Sequence, residues 1–333
     1  APAVSSAAAC DWTAPDRDDP NWCKGAHMKA MTYARYGPPD VFELREVPKP
    51  IPRADEILVK VRAGTVTAAD WRMRKADPFA ARIFNGLLRP RHVRILGFEV
   101  AGQIEAVGKG VTKFRKGDSV FGHNDFRFGA YAEYVCLRQG GMLAVKPTSL
   151  SFEECAAVSF GGLAALNHLR KGGIRAGHKV LIYGASGSAG TYAVQLAKHF
   201  GAEVTAVCST ANLDWVRALG AARAIDYTVQ DVRAEPGRYD LIYDAVGRMI
   251  SALSARDFAK MLGPGGVFVS VEMNRKDKPE DLAYLAQLMD GGHLKAVIDR
   301  QYPLEELAEA HRYVDKGHKK GNVVIAVRAS DSW

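Results

Sequence analysis

The heptapeptide Gly184-Ala185-Ser186-Gly187-Ser188-Ala189-Gly190 is the stretch whose residue types and spacing most plainly suit a ligand. An apolar run over residues 179–183 precedes it, and an amphipathic pattern over 190–200 follows at once. That order predicts a strand, a tight glycine turn and a helix. Gly187 lets the backbone approach a pyrophosphate, and Gly190 lets helix and strand pack closely. The first amides of the helix have no intrahelical acceptor, and with the macrodipole they attract phosphate. The chain holds 32 glycines, so the spacing alone says little. The context carries the reading, because a second β-prone run over 203–207 completes the strand–loop–helix–strand unit. The other reading of the loop is a tight turn without a ligand.

A dinucleotide site of the NAD type places Asp or Glu at the end of that second strand, to accept from the ribose 2′-OH. Here the end reads Val207-Cys208-Ser209-Thr210-Ala211-Asn212, and Glu203 stands at the opposite end of the strand. A carboxylate repels a 2′-phosphate, whereas small hydroxyl and amide donors can meet one. The expected cofactor is therefore NADPH.

The elements that position this loop fall into two regimes. Residues 28–150 carry short β-prone runs over 29–33, 42–47, 56–63, 104–107, 119–121 and 130–135, broken by Gly and Pro. This pattern predicts a small β barrel with helical interruptions at 69–75 and 79–88. Residues 151–300 alternate. Helices are expected at 153–159, 162–170, 190–200, 213–219, 254–262 and 280–289. Strands are expected at 179–183, 203–207, 224–226, 241–244, 267–271 and 296–298, in one open parallel sheet. Residues 301–333 add a helix over 304–316 and a last strand over 322–327 that should return to the β domain. The fold class expected is α/β: a β barrel domain plus a doubly wound parallel sheet.

Residues 1–27 match neither regime and lack a basic segment leading into an apolar core. They read as an appended extension, with Met28 as a natural start, or as a genuine arm closed by Cys10 and Cys23. Five cysteines without a Cys-x-x-Cys pair fit unpaired thiols in a reducing cytosol, so a cytoplasmic location is expected. The net charge of +8 is spread along the chain without a basic block, which argues against nucleic acid as the main partner. No apolar run is long enough to span a membrane.

Four stretches carry a resemblance to a known family: "GFEVAGQIEAVGKGVTKFRKGDSVFG" at 97–122, "GAYAEYV" at 129–135, the glycine loop, and "HRYVDKGHKKGNVVI" at 311–325. Over about residues 28–327 the chain resembles zinc-independent medium-chain dehydrogenases/reductases of the quinone oxidoreductase type. The resemblance implies a GroES-like barrel and a Rossmann domain, often paired into homodimers through the last Rossmann strands, here near 267–271. It implies that Ser186, Gly187, Ser188 and Ala189 sit on the pyrophosphate, ahead of Gly190. Ser209, Asn212 and Tyr227 would surround the adenosine phosphate, and Val246, Val271 and Asn322 would approach the nicotinamide. Many relatives have Arg where Ala211 stands, which weakens the phosphate clamp. Thr67 and Asp70, in "TVTAAD", match the substrate side. Thr67 is the candidate carbonyl donor, and Asp70 is either a helix cap or a catalytic acid.

Zinc-dependent relatives carry Gly-His-Glu where this chain has Gly97-Phe98-Glu99. Their other ligand positions fall near Thr65 and Ser159-Phe160, which offer neither Cys nor His, so no zinc is expected and Glu99 takes a structural role. Without a Lewis acid, conjugate reduction is the easier chemistry, since a hydrogen-bond donor can stabilise the developing oxyanion. The function expected is NADPH-dependent reduction of quinones or α,β-unsaturated carbonyls. The alternatives are a zinc-free alcohol/carbonyl oxidoreductase and a non-catalytic NADPH-binding protein with RNA or protein partners. His123 and Asn124 are expected at a surface turn or lining the cleft, and Tyr36 at a turn or over the substrate. Trp71, Phe79 and Phe84 are expected in the core or as an apolar wall for a planar quinone. The short stretch 271–280 is expected to leave the pocket open.

Overall fold

The computed structural model describes residues 26–234, 238–247 and 251–328. Cys10 and Cys23 lie outside the described residues. The chain divides into two compact units. Of the described residues, one comprises 26–143, Gln301–Gly317 and 324–328; the other comprises those of Ala144–Arg300 and His318–Val323.

In the first unit β1 (His27–Tyr33) and β2 (Phe42–Pro48) pair antiparallel, from His27 opposite Pro48 to Tyr33 opposite Phe42. The strand thus begins one residue before Met28. The larger sheet is built on β3 (Glu56–Thr65), whose Ile57, Val59 and Val61 are fully buried. It pairs antiparallel with β4 (Glu99–Val107) and β6 (Tyr134–Arg138). β5 (Ser119–His123) and β7 (Met142–Val145) extend the sheet beyond β4. The expected strand over 130–135 is displaced to 134–138, because residues 130–133 turn in to meet other segments. Ala132 bridges Ala30, Met31 N donates to Tyr131 O, and Tyr131 N donates to Leu96 O. Helix α1 (Ala68–Lys75) starts at a capping box and stops at Ala76 in the left-handed region. Helix α2 (Ala80–Asn85) is shorter than the helical stretch expected over 79–88.

The second unit holds one 20-residue helix, α3 (Phe152–Lys171), where the sequence suggested two. Gly161 and Gly162 do not break it; they thin it for close packing. A Cβ on Gly161 would lie 2.3 Å from Ser188 Oγ, and one on Gly162 would lie 2.7 Å from Val158 Cγ2. Five strands form an all-parallel sheet: β8 (Lys179–Tyr183), β9 (Glu203–Cys208), β10 (Arg223–Asp226), β11 (Tyr239–Asp244) and β12 (Leu262–Ser270). Helices α4 (Ser188–His199), α5 (Leu213–Leu219), α6 (Ala255–Met261) and α7 (Pro279–Asp290) complete this part of the chain. The spatial order is β10-β9-β8-β11-β12. Leu181, Ile182, Val207, Ile225, Leu241 and Ile242 are fully buried, as strands covered on both faces require. The chain winds one way from β8 to β10 and the other way from β11 to β12, so the carboxyl ends of β8 and β11 form the topological switch point where ligands bind in such sheets.

The sixth parallel strand expected at 296–298 does not form. Its place in the sequence is taken by β13 (Ile298–Pro303), next to β14 (Asn322–Ala326) in the seven-stranded sheet. β14 runs antiparallel to β3, with Val324 opposite Thr65. Between them α8 (Leu307–Asp315) follows a single 3-10 turn at Leu304–Glu306.

Candidate functional site

Helix α4 begins at Ser188, two residues before Gly190, with Gly187 as its cap position. Among the described residues no side chain caps it, whereas α1, α3 and α6 each close a capping box. The first amide to return to the helix is that of Thr191, which donates to Gly187 O at 2.9 Å. The amides of Ser188, Ala189 and Gly190 precede it and have no intrahelical acceptor. Among the described residues a Cβ on Gly187 would meet nothing nearer than Gly184 O at 3.5 Å, which leaves that side of the turn open. A Cβ on Gly190 would lie 2.1 Å from Gly184 O, so Gly190 serves packing. Open space at Gly187 and donors without partners beside it suit a pyrophosphate.

The loop is held from behind. Gly184 N and Ala185 N both donate to Val207 O, at 3.1 and 3.0 Å, which ties the turn to the end of β9. Gly321 N donates to Ser186 O at 2.9 Å. Ser188 Oγ donates to Asn322 Oδ1 at 2.6 Å, while Asn322 Nδ2 donates to Val297 O and the Tyr192 hydroxyl. Asn322 is buried and its polar atoms are occupied, so here it braces the glycine turn. Ser188 keeps only its amide for a phosphate.

At the end of β9 the hydroxyls are ordered. Asn212 Nδ2 donates to Ser209 Oγ at 2.9 Å, and Trp215 Nε1 donates to Asn212 Oδ1 at 2.9 Å. Thr210 Oγ1 donates to Asp226 Oδ2. The other oxygen of Asp226 accepts from the Thr228 amide at 2.9 Å and the Thr228 hydroxyl at 2.6 Å. These bonds hold the Asp226 carboxyl below the usual carboxylate range. An acid does stand beside the second strand, but it comes from the third: the parallel register sets Asp226 against Cys208. Linear spacing from the glycine loop cannot reveal it. Tyr227 follows, half exposed, with its amide on Cys208 O.

Val246 packs against the turn, its Cγ2 filling the space a Cβ on Gly184 would need. Asp244 organises this corner. Its Oδ1 accepts from Val246 N at 3.0 Å and Gly247 N at 3.1 Å, and Val271 N donates to its carbonyl at 2.9 Å. Burial raises the Asp244 carboxyl above its ordinary value. The sequence reading missed Asp244, although an acid that closes an apolar run two residues ahead of Val246 was a visible signal. Residues 271–277 are pinned to α3: His168 Nε2 meets Met273 O at 3.1 Å and Asn167 Nδ2 donates to Asp277 Oδ1 at 2.9 Å.

In the first unit Thr67 caps α1 and Asp70 closes the box. Thr67 Oγ1 donates to Asp70 Oδ2 at 2.6 Å, Thr67 N to the same oxygen at 2.8 Å, and Gly97 N to Asp70 Oδ1 at 2.9 Å. Asp70 is fully buried, and burial pushes its carboxyl up to about 6 against those bonds. The Thr67 proton is thus committed to Asp70. Thr65 Oγ1 donates to Glu99, which gives Glu99 a structural hydrogen bond. Phe98 stacks on His123 with ring centroids 4.9 Å apart. His123 is buried at the end of β5, so it is not part of a surface turn, and Asn124 Nδ2 donates to Phe128 O. Phe98 meets Phe126 edge-on at 6.4 Å, and Phe126 meets Phe84 at 6.3 Å. Phe79 and Phe84 are exposed and so not part of the core, and Phe84 joins this aromatic run through Phe126. Trp71 lies under Arg72 and Lys75, and the Tyr36 hydroxyl closes onto Gly86 O at 2.7 Å. Among the described residues no group of three His, Cys, Asp or Glu side chains could hold a metal ion.

Two family models match: an alcohol dehydrogenase GroES-like domain over residues 53–147 and a zinc-binding dehydrogenase over 271–325. A 2-methylene-furan-3-one reductase of Solanum lycopersicum is 32% identical over 90% of this chain and 79% of its own length. The chain belongs to the medium-chain dehydrogenase/reductase family. An NADPH-dependent alkenal/one oxidoreductase of Arabidopsis thaliana is 30% identical over the same shares. The solved quinone oxidoreductase of Coxiella burnetii is 29% identical with a TM-score of 0.80, covering 91% of this chain and 100% of that one. That structure has the same α/β architecture as this member: a GroES-like sheet domain and a Rossmann-like parallel sheet.

Proposed function

We propose that this chain is a metal-free, NADPH-dependent oxidoreductase that reduces quinones or α,β-unsaturated carbonyls. The observation that carries the reading is the uncapped start of α4 beside the open face of Gly187. The names of the relatives support the reaction class. The amides of Ser188, Ala189 and Gly190 hold the pyrophosphate, and the macrodipole of α4 adds attraction. Ser209 Oγ, whose lone pair accepts from Asn212, is left to donate its proton to the 2′-phosphate. When bound, the reduced nicotinamide supplies a hydride to the electron-poor carbon of the substrate.

Phe84 and Phe126, exposed and meeting edge-on, with the buried Phe98–His123 stack behind them, offer an apolar wall for a planar substrate. Thr67 and Asp70 act as a positioning pair, because the hydroxyl hydrogen already points at the carboxylate; water delivers the proton. The metal-free part of the proposal is supported by Phe98, stacked on His123, and by Thr65, bonded to Glu99. We further take the protein to be a homodimer paired through β12, an edge strand of its sheet. A reducing compartment such as the cytosol suits its buried thiols Cys155 and Cys208, pushed up to about 12 and about 11 by burial.

The test is the loss of NADPH absorbance with a panel of simple quinones, alkenals and enones. Turnover with several members, unchanged by a chelator, is expected. No turnover across the panel while NADPH still binds would favour the non-catalytic reading. Turnover that needs added zinc would favour alcohol oxidation.

A further inference from the structure

Residue 210 stands twenty positions after Gly190, where the acid of an NAD site is expected. Its hydroxyl carries one proton, and that proton goes to Asp226. The Thr228 hydroxyl sends its single proton to the same carboxylate at 2.6 Å. The two threonine oxygens also lie within hydrogen-bond distance of each other, at 3.0 Å, and with both protons turned to Asp226 each presents lone pairs outward. A ribose 2′-OH can donate to such an oxygen. A phosphate, which has only acceptors at neutral pH, cannot. Ser209 is oriented the opposite way: it accepts from Asn212, and its own proton has no partner among the described residues.

We propose that Asp226 selects the adenosine 2′ substituent, by fixing Thr210 as an acceptor and leaving Ser209 the one strand-end hydroxyl that can donate. Asp226 is a positioning residue in this account, because it acts through Thr210 and through its charge. Its carboxylate also repels a phosphate electrostatically, which restrains the preference for NADPH over NADH. The proposal rests on the reading of the glycine loop as a dinucleotide site. It goes further in naming the residue that sets how strictly the site discriminates.

The substitution Asp226→Asn reverses one hydrogen bond. The Asn oxygen still accepts from Thr228 N and the Thr228 hydroxyl, while the amide nitrogen donates to Thr210 Oγ1. Thr210 then turns its proton outward, and the negative charge is gone. Binding is read by titrating NADPH and NADH against intrinsic fluorescence; Trp215 reports on this loop through its bond to Asn212. The expected result for Asp226→Asn is a Kd ratio shifted at least fivefold toward NADPH. In Thr210→Val, which removes the acceptor offered to the ribose 2′-OH, NADH should weaken while NADPH binds as in the wild type, and the double variant Asp226→Asn/Thr210→Val should lose the part of the NADPH gain that the Thr210 proton supplies. Ser209→Ala, at a site where folding is not at stake, should weaken NADPH about tenfold and leave NADH unchanged. An unchanged ratio in Asp226→Asn, or an equal loss of both nucleotides in Ser209→Ala, overturns the proposal while the dinucleotide reading survives. Failure of the wild type to bind either nucleotide overturns both.

Discussion

Neighbouring hydroxyls at the end of β9 differ in the direction of one proton, and direction matters more there than residue type. The same scale explains His311. Its ring is fully buried between Phe42 and Tyr131, at centroid distances of 4.8 and 6.0 Å, and neither nitrogen has a hydrogen-bond partner among the described residues. Burial first, then the charges of Arg74 and Lys75, hold the imidazole well below its ordinary value. The nearby carboxylate, Asp315, is already bonded to Arg74 at 2.7 Å and Lys75 at 3.0 Å. Below the ordinary pKa the unfolded chain takes up a proton that the folded chain refuses. Stability therefore falls as pH drops below about 6.5, by at most about 1.4 kcal/mol per pH unit from this one group. Asp70 works in the opposite sense: its raised carboxyl adds stability at low pH that is lost as pH rises from about 4 toward 6. His311→Leu should leave stability near pH 8 within about 1.5 kcal/mol of the wild type. It should also flatten the decline between pH 6.5 and 5, measured as the difference between the two urea-unfolding curves. Parallel curves would show that His311 takes a proton in the folded state.

At the scale of elements, the sequence revealed periodicity and punctuation but not what each element packs against. The strand–loop–helix unit over 179–207 was legible because its apolar run, glycines and amphipathic pattern are local features. The break expected inside α3 was not real, because a glycine pair reads as a boundary until the partner helix is known. Gly161 is there because α4 passes so close that a Cβ would strike Ser188 Oγ, with the Tyr192 ring at 3.3 Å. Gly161→Val should accordingly destabilise the fold by about 1–3 kcal/mol through overpacking. It should also weaken NADPH binding, because Ser188 and its bond to Asn322 are displaced together. Thermal unfolding and a binding titration check both effects, and a stability gain from the better helix former would contradict the packing account. The apolar triplet at 296–298 likewise looks like a parallel strand, yet its neighbour in the fold is the returning β14, which no local pattern names.

For the whole molecule, the family pattern in the sequence anticipated the two architectures and the strand–glycine loop–helix unit at 179–207. What it could not show were pairings set by register and long-range contact: Asp226 beside Cys208, Asn322 behind Ser188, and Asp70 under Gly97. Each joins residues far apart in the chain, and together they define the shape of the proposed sites. The switch point between β8 and β11, with the uncapped helix α4 next to it, is the feature on which the functional account stands. Isothermal titration of NADPH into the wild type and Gly187→Asp tests it directly. Gly187 has an ordinary φ of −80° and room for a Cβ, and aspartate is a favoured helix cap, so the variant should fold with an unchanged or higher Tm. Its carboxylate would occupy the amides meant for phosphate, and NADPH binding should fall at least a hundredfold. Equal NADPH affinity in the two proteins would contradict the account.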